Sequence, residues 1–132
     1  MSGFVPLYAD DALLVVDKPA GLLSVPGRGP DKADCLAARA QAEFSDARIV
    51  HRLDMDTSGL IALARGAEAH RTLSRAFAAR AVVKRYVALV AGRLSPPETE
   101  WGTVELPLIC DWPNRPLQKV DRERGKPSVT RW

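Results

Sequence analysis

The chain has 132 residues, of which 46% are hydrophobic and 27% are charged, a composition typical of one ordinary globular domain. Its apolar runs, such as Ala12–Val16, are far shorter than the roughly 20 residues that cross a bilayer. The N-terminus also lacks the basic-then-apolar pattern of a signal peptide. We therefore expect a cytoplasmic protein that makes no contact with a membrane.

The net charge of +3 is unevenly distributed along the chain. Residues 1–60 carry 6 Lys/Arg and 9 Asp/Glu, whereas residues 61–132 carry 13 Lys/Arg and 7 Asp/Glu. The second half is therefore the better candidate for contact with a polyanion such as a nucleic acid. Charged residues on a solvated surface would give the same pattern, so charge alone raises this hypothesis without deciding it.

The two cysteines, Cys35 and Cys110, lie far apart and belong to no paired-Cys or Cys/His cluster. Neither a disulfide framework nor a zinc site is indicated. We interpret both as small buried hydrophobic residues.

The first half of the chain predicts one strand and one helix. Ala12–Asp17 is a short apolar run that ends where Pro19 and Gly21 favour a turn, so we predict a strand there, with extended chain over Leu22–Val25. Between Asp31 and Phe44 the apolar residues recur at helical spacing, and an acidic residue near the start suits the helix dipole.

The second half mixes further strands and helices without a regular βαβ alternation. Prolines make the region after Leu94 rich in irregular connections. The fold class expected is α+β, with a mixed or antiparallel sheet and flanking helices. The predicted elements are strands at Leu60–Ala64, Val82–Val90, Trp101–Leu106 and Ser128–Trp132, and a helix at Ala67–Arg80.

One short segment, Ile49–Leu60, concentrates groups that can do chemistry. It holds an imidazole, a guanidinium, two carboxylates and two hydroxyls between apolar runs, as expected of a functional loop on a rigid scaffold. Asp56, Thr57 and Ser58 are common turn formers. Asp54 differs, because it follows the apolar Leu53 and has a nearby cation that can keep it ionised. His51 and Arg52 supply the imidazole and the guanidinium. Gly59 permits a turn or a close approach of the backbone.

Three motifs resemble the RluA family of RNA pseudouridine synthases. His51–Leu60 matches the family's His-Arg-Leu-Asp signature, Leu14–Leu23 its early motif, and Lys84–Gly92 its tyrosine motif, in the family's order. The resemblance implies the pseudouridine synthase catalytic fold and isomerisation of uridine in RNA without metal or cofactor. It implies that Asp54 is the catalytic residue and that Arg52 and Tyr86 bind the substrate.

Within that family, Leu106–Pro116 is most similar to the dual-specificity member, which acts on large-subunit ribosomal RNA and tRNA anticodon stem-loops. RNA stem-loops are therefore the expected partners, and the protein is expected to be a monomer. A basic segment could follow the RNA phosphates. It contains Arg115, Lys119, Arg122, Arg124, Lys126 and Arg131.

Residues 1–132 are expected to form a single catalytic domain whose C-terminal part is missing, with no S4 domain. The chain ends at Trp132 within a predicted strand, and few segments remain to pair with that strand. It also ends before the Gly-Arg-Thr/Ser-His-Gln-Leu/Ile-Arg motif that completes the family's active site. We expect the natural protein to continue.

Two alternatives stay open from the residues. Asp54-Met55-Asp56-Thr57 could begin a haloacid-dehalogenase-like phosphotransferase motif that binds Mg²⁺, although that motif normally continues with glycine where Thr57 stands. The chain could instead be an RNA-binding piece that lacks turnover. Among the histidines, His51 is interpreted as an orienting or structural residue, because no second metal ligand lies at a useful spacing. His70 is interpreted as a surface residue, because it lies in a predicted helix among polar residues.

Overall fold

The computed structural model describes residues 4–132, apart from the side chain of Asp31. The chain divides into two compact units, Met1–Arg85 and Tyr86–Trp132. The single catalytic domain expected from the sequence stays a prediction. Neither of the two helices that the structure describes is long and apolar enough to cross a bilayer.

The first unit is built on a four-stranded sheet in the order β1-β2-β4-β3, and all three neighbouring pairs are antiparallel. The antiparallel form of the expected α+β fold is therefore the one observed. The strands are β1 (Pro6–Ala9), β2 (Leu13–Lys18), β3 (Ala47–Ile49) and β4 (Gly59–Arg65), and the helices are α1 (Leu36–Glu43) and α2 (Gly66–Ala78).

The core of this unit lies on one face of the sheet. Leu14 and Val16 alternate along β2 and pair in register with Leu63 and Ile61 of β4, so all four side chains point to the same face and are almost fully buried. Helix α1 covers the core with buried residues that include Leu36. The predicted strands at Ala12–Asp17 and Leu60–Ala64 and the helix at Ala67–Arg80 are confirmed, with small shifts at their ends.

The first helix begins later than the Asp31 start that periodicity predicts. Pro30–Lys32 forms a separate 3₁₀ turn, and α1 begins at Leu36. Cys35 has extended backbone, and its Sγ accepts a hydrogen bond from Ala38 N–H at 3.4 Å, so it acts as the N-cap of α1. The expected contribution of the Asp31 carboxylate lies outside the described residues.

The strand predicted at Val82–Val90 is wrong. No strand within residues 4–132 pairs with this segment, and Val83, Val87 and Leu89 are essentially fully exposed. β-Propensity measures how well side chains fit a pleated and half-buried surface, so it produces a strand only where a neighbouring strand and a core are available.

The second unit contains an antiparallel sheet in the order β6-β5-β7. The predicted strands at Trp101–Leu106 and Ser128–Trp132 correspond to β5 (Thr103–Cys110) and β7 (Lys126–Arg131), which pair with each other. The C-terminal strand therefore finds its partner earlier in the chain. Strand β6 (Gln118–Val120) was not predicted, nor were β1 and β3, because strands of three or four residues show too little alternation.

Candidate active site

The chemistry-bearing segment forms a loop, residues 50–58, which joins β3 to β4. Its backbone is fixed in the middle by Leu53, which packs in the core. The buried Ser24 hydroxyl donates to Leu53 C=O at 2.5 Å and accepts from Leu53 N–H at 3.1 Å. Both polar backbone groups of the residue before Asp54 are thus paired inside the protein.

The residue after Asp54 is fixed from the other side. Met55 C=O accepts one hydrogen bond from Gly21 N–H at 2.8 Å and another from Lys18 Nζ at 3.1 Å. Lys18 is the last residue of β2 and pairs in register with Gly59, the first residue of β4. The end of β2 and the end of the loop therefore meet at the same edge of the sheet.

Lys18 is fully buried, and its ammonium is satisfied by backbone oxygens. Nζ donates to Leu22 C=O at 2.7 Å and Pro19 C=O at 3.0 Å, in addition to Met55 C=O. An ammonium has three protons, so each of these acceptors can take one. Burial lowers the pKa of Lys18 below its ordinary value, while the negative charges of Asp56 and Asp54 oppose that fall.

Asp54 is exposed, although the backbone on both sides of it is fixed. Its C=O accepts from Thr57 N–H at 3.1 Å, which closes a turn across Met55 and Asp56. Gly59, just after the turn, has φ +121°, and a Cβ there would meet nothing within 4 Å. The glycine is thus needed for its backbone conformation rather than for a close approach.

His51 holds the start of the loop against β4 and α2. Its Nε2 accepts a hydrogen bond from Ala62 N–H at 2.9 Å, and its ring stacks on Phe77 with centroids 4.4 Å apart. Burial, and to a smaller extent the charge of Lys84, lower the pKa of His51. The imidazole is therefore neutral, with its proton on Nδ1, which agrees with the orienting role expected for it.

The two predicted substrate-binding residues lie in different parts of the chain. Arg52 is exposed in the loop beside Asp54, and among the described residues no hydrogen bond or ion pair engages its guanidinium. Within the described residues Arg52 forms no ion pair with Asp54 or Asp56, and the negative charges of both carboxylates act on Lys18. Tyr86 is 59% exposed and is the first residue of the second unit.

Other sequence expectations have mixed outcomes. His70 is half-buried in α2, and its Nε2 lies 3.2 Å from Ile49 C=O, so it joins α2 to β3 and is not a pure surface residue. Cys35 is buried, but Cys110 is only half-buried. Within the described part of the chain, no three His, Cys, Asp or Glu side chains are close enough together to hold a metal ion.

Sequence reasoning missed Lys18 and Ser24 as residues that build the site. Side chains alternate between the two faces of β2, so the residue two positions after the buried Val16 also falls on the core face. This pattern could have predicted that Lys18 is buried. A lysine at such a position needs buried acceptors. Ser24 has no comparable signal, since its partner Leu53 is 29 positions away in sequence.

The chain belongs to the RNA pseudouridylate synthase family, whose model matches residues 12–132. The phosphotransferase alternative for Asp54–Thr57 is rejected by this assignment. Among curated relatives, the chain is 53% identical over 128 residues to the dual-specificity RNA pseudouridine synthase RluA of Escherichia coli O6:H1, and 52% identical over 124 residues to RluA of Vibrio parahaemolyticus.

These alignments cover 97% and 94% of this chain but only 57% and 48% of the relatives. The chain thus spans about half the length of the curated relatives that it matches. Two solved structures share its fold, the human RNA pseudouridylate synthase domain containing proteins 1 and 4. Their TM-scores are 0.68 and 0.60, with 24% and 23% identity, covering 98% and 96% of this chain and 51% of each of those chains.

We predict that Lys18→Met lowers the free energy of unfolding of the full-length protein by about 1–3 kcal/mol, because buried carbonyls lose their donor. Lys119→Met is the matched control, since Lys119 is exposed and its loss should change stability by less than about 0.5 kcal/mol. Denaturant unfolding of both variants and the wild type measures the difference. Equal stability of the two variants would contradict a structural role for the buried ammonium.

A second prediction concerns pH. Because the pKa of His51 is lowered in the folded state, the unfolded chain binds its proton more readily. The stability that His51 contributes is fully present above its ordinary pKa of 6.5 and is lost as the pH falls below it towards the folded value. His51→Phe keeps a ring on Phe77 but cannot accept from Ala62 N–H.

The measurement is the free energy of unfolding of wild type and His51→Phe between pH 8 and pH 5. All other titrating groups are common to the two proteins, so the difference isolates His51. The advantage of the wild type should shrink below pH 6.5. A difference that stays constant with pH would mean that the folded protein does not favour the neutral imidazole.

Proposed function

We propose that the full-length protein isomerises specific uridines to pseudouridine in structured RNA, with Asp54 as the catalytic residue. The observation that carries this proposal is the geometry of residues 53–55, where fixed backbone on both sides presents an exposed carboxylate. Membership of the RNA pseudouridylate synthase family supports the reaction class. The isomerisation breaks the N1 glycosidic bond, turns the uracil and joins C5 to the ribose, so it needs no oxidant and no second substrate.

A carboxylate can serve this reaction in more than one way. It can act as a nucleophile at the sugar or the ring, or as a base at the ribose, and each route divides a difficult step into easier ones. Every route requires the ionised form. The buried ammonium of Lys18 interacts electrostatically with the negative charges of Asp56 and Asp54.

Arg52 is proposed to occupy the space that the target uridine leaves in the RNA. A base that reacts inside a folded RNA must first be extruded, and unstacking costs a few kcal/mol. A guanidinium is planar and can both stack on bases and donate hydrogen bonds in their plane. The absence of an intramolecular partner for Arg52 within residues 4–132 supports this role, because the side chain is free to contact RNA.

Tyr86 is proposed to stack against the target uracil. Its exposure supports the role, since an aromatic residue that only filled a core would be buried. Large-subunit ribosomal RNA and tRNA anticodon stem-loops are the proposed substrates, in line with the dual-specificity RNA pseudouridine synthases that the chain resembles. The cytoplasmic location and the monomeric state expected from the sequence stay predictions.

Asp54→Asn in the full-length protein should abolish isomerisation and leave RNA affinity within a few-fold, because an amide keeps the shape but cannot act as nucleophile or base. Asp56→Asn is the matched control in the same turn and should keep turnover within tenfold of wild type. Pseudouridine formed per enzyme is measured by mass spectrometry. Turnover of Asp54→Asn within tenfold of wild type, about 1.4 kcal/mol of barrier, would remove Asp54 from catalysis.

Arg52→Lys should lose activity on a normal stem-loop and recover preferentially on one whose target uridine is unpaired and poorly stacked. An ammonium keeps the charge but cannot stack, so the variant fails chiefly where extrusion is costly. Arg48→Lys, an exposed arginine on the neighbouring β3, is the control and should behave as wild type on both RNAs. Equal defects of Arg52→Lys on the two RNAs would count against the extrusion role.

A further inference from the structure

Trp112 is a large, solvent-exposed aromatic residue in an ordered turn of the second unit. It is 65% exposed and begins the 3₁₀ turn Trp112–Asn114, which follows β5. Two backbone hydrogen bonds close the turn. Asp111 N–H donates to Leu117 C=O at 2.9 Å, and Leu117 N–H donates to Asn114 C=O at 3.0 Å. The indole is therefore exposed on a defined surface.

Arg115 lies over this indole. Its guanidinium carbon is 4.3 Å from the centroid of the Trp112 ring, a cation–π contact. The guanidinium lies over the ring, and the residue still exposes 65% of its surface to solvent. The pair presents an aromatic ring in contact with a planar cation, and much of the indole remains accessible to a ligand.

The surrounding segment is positively charged. Residues 111–132 carry 6 Lys/Arg and 3 Asp/Glu. Two of the three acids are already engaged, because Asp111 accepts from the Asn114 amide at 2.9 Å and Asp121 accepts from backbone N–H groups and pairs with Arg124 at 3.5 Å. The net positive charge of the segment that contains this exposed ring fits a ligand that has both a flat apolar face and negative charge.

We propose that Trp112 and Arg115 form a stacking site for an unpaired nucleobase of the bound RNA, distinct from the uridine that reacts. Unpaired bases in RNA loops stack on aromatic rings and on arginine planes, and the adjoining phosphates meet basic side chains. A pre-stacked tryptophan and arginine lose little side-chain freedom when a base arrives. This inference rests on the proposed function, because it takes RNA as the ligand.

The test measures the affinity of the full-length protein for a substrate stem-loop and for a series in which each unpaired loop nucleotide in turn is abasic. Trp112→Ala should weaken binding to the intact RNA by roughly tenfold, as expected for one lost base–aromatic stack. Trp112→Phe should restore most of that affinity. Arg115→Lys keeps the charge but not the plane, so it should weaken binding by a smaller factor.

One abasic position should identify the partner base. At that position the wild type loses about as much affinity as Trp112→Ala loses on intact RNA, and Trp112→Ala causes no further loss. Trp101→Ala is the matched control, an exposed tryptophan of the same unit without the Arg115 contact, and should bind every RNA as the wild type does. Unchanged affinity of Trp112→Ala, or the same loss at every abasic position, overturns the proposal.

Failure of this proposal can be distinguished from failure of the proposed function. Pseudouridine formation by the wild type is measured on the same intact stem-loop. Turnover without any Trp112-dependent affinity overturns the stacking site and leaves the reaction in place. Trp112-dependent affinity for the intact RNA that disappears at one abasic position, with no turnover by the wild type, supports the stacking site and contradicts the proposed reaction.

Discussion

The buried ammonium of Lys18 is the interaction on which the rest of the site depends. A charged group without solvent is costly unless every proton has an acceptor. Here Pro19 and Leu22 supply two carbonyl oxygens from the turn after β2, and Met55 supplies the third from the loop after β3. Satisfying one side chain therefore holds two distant segments together, and one of them contains Asp54.

This arrangement separates rigid backbone from free side chains. Leu53 is fixed by Ser24, and the start of the loop is fixed by the His51 contacts with β4 and α2, whereas the side chains of Arg52 and Asp54 project into solvent. A side chain that stabilises a transition state acts more effectively on a fixed backbone, because its orientation is already set before the substrate binds. Under the proposed function, recognition of a folded RNA needs the opposite property in the surrounding contacts, and the exposed side chains would supply it.

The sequence predicts the parts of the fold that rest on periodicity and the parts of the site that rest on a motif. The central strands and both helices follow from apolar spacing, and the proposal of Asp54 rests on its motif and its position after an apolar run. Val82–Val90 has strong β-propensity, but a strand also needs a neighbouring strand to pair with. Propensity carries no information about whether such a neighbour is present. The sequence does not predict Lys18 and Ser24, because their partners are backbone oxygens that only the tertiary fold brings near. Buried donors in general find their acceptors in this way.

The most direct test of this account is amide hydrogen exchange in the full-length protein without RNA. If Lys18 and Ser24 fix the loop before the substrate arrives, the amides of Gly21, Leu53 and Thr57 should exchange far more slowly than the exposed segment 83–89, because each donates a hydrogen bond within the anchored structure. Slow exchange that disappears at Gly21 in Lys18→Met would tie the effect to the ammonium. Exchange at these three amides as fast as in segment 83–89 would contradict a site that is ordered in advance.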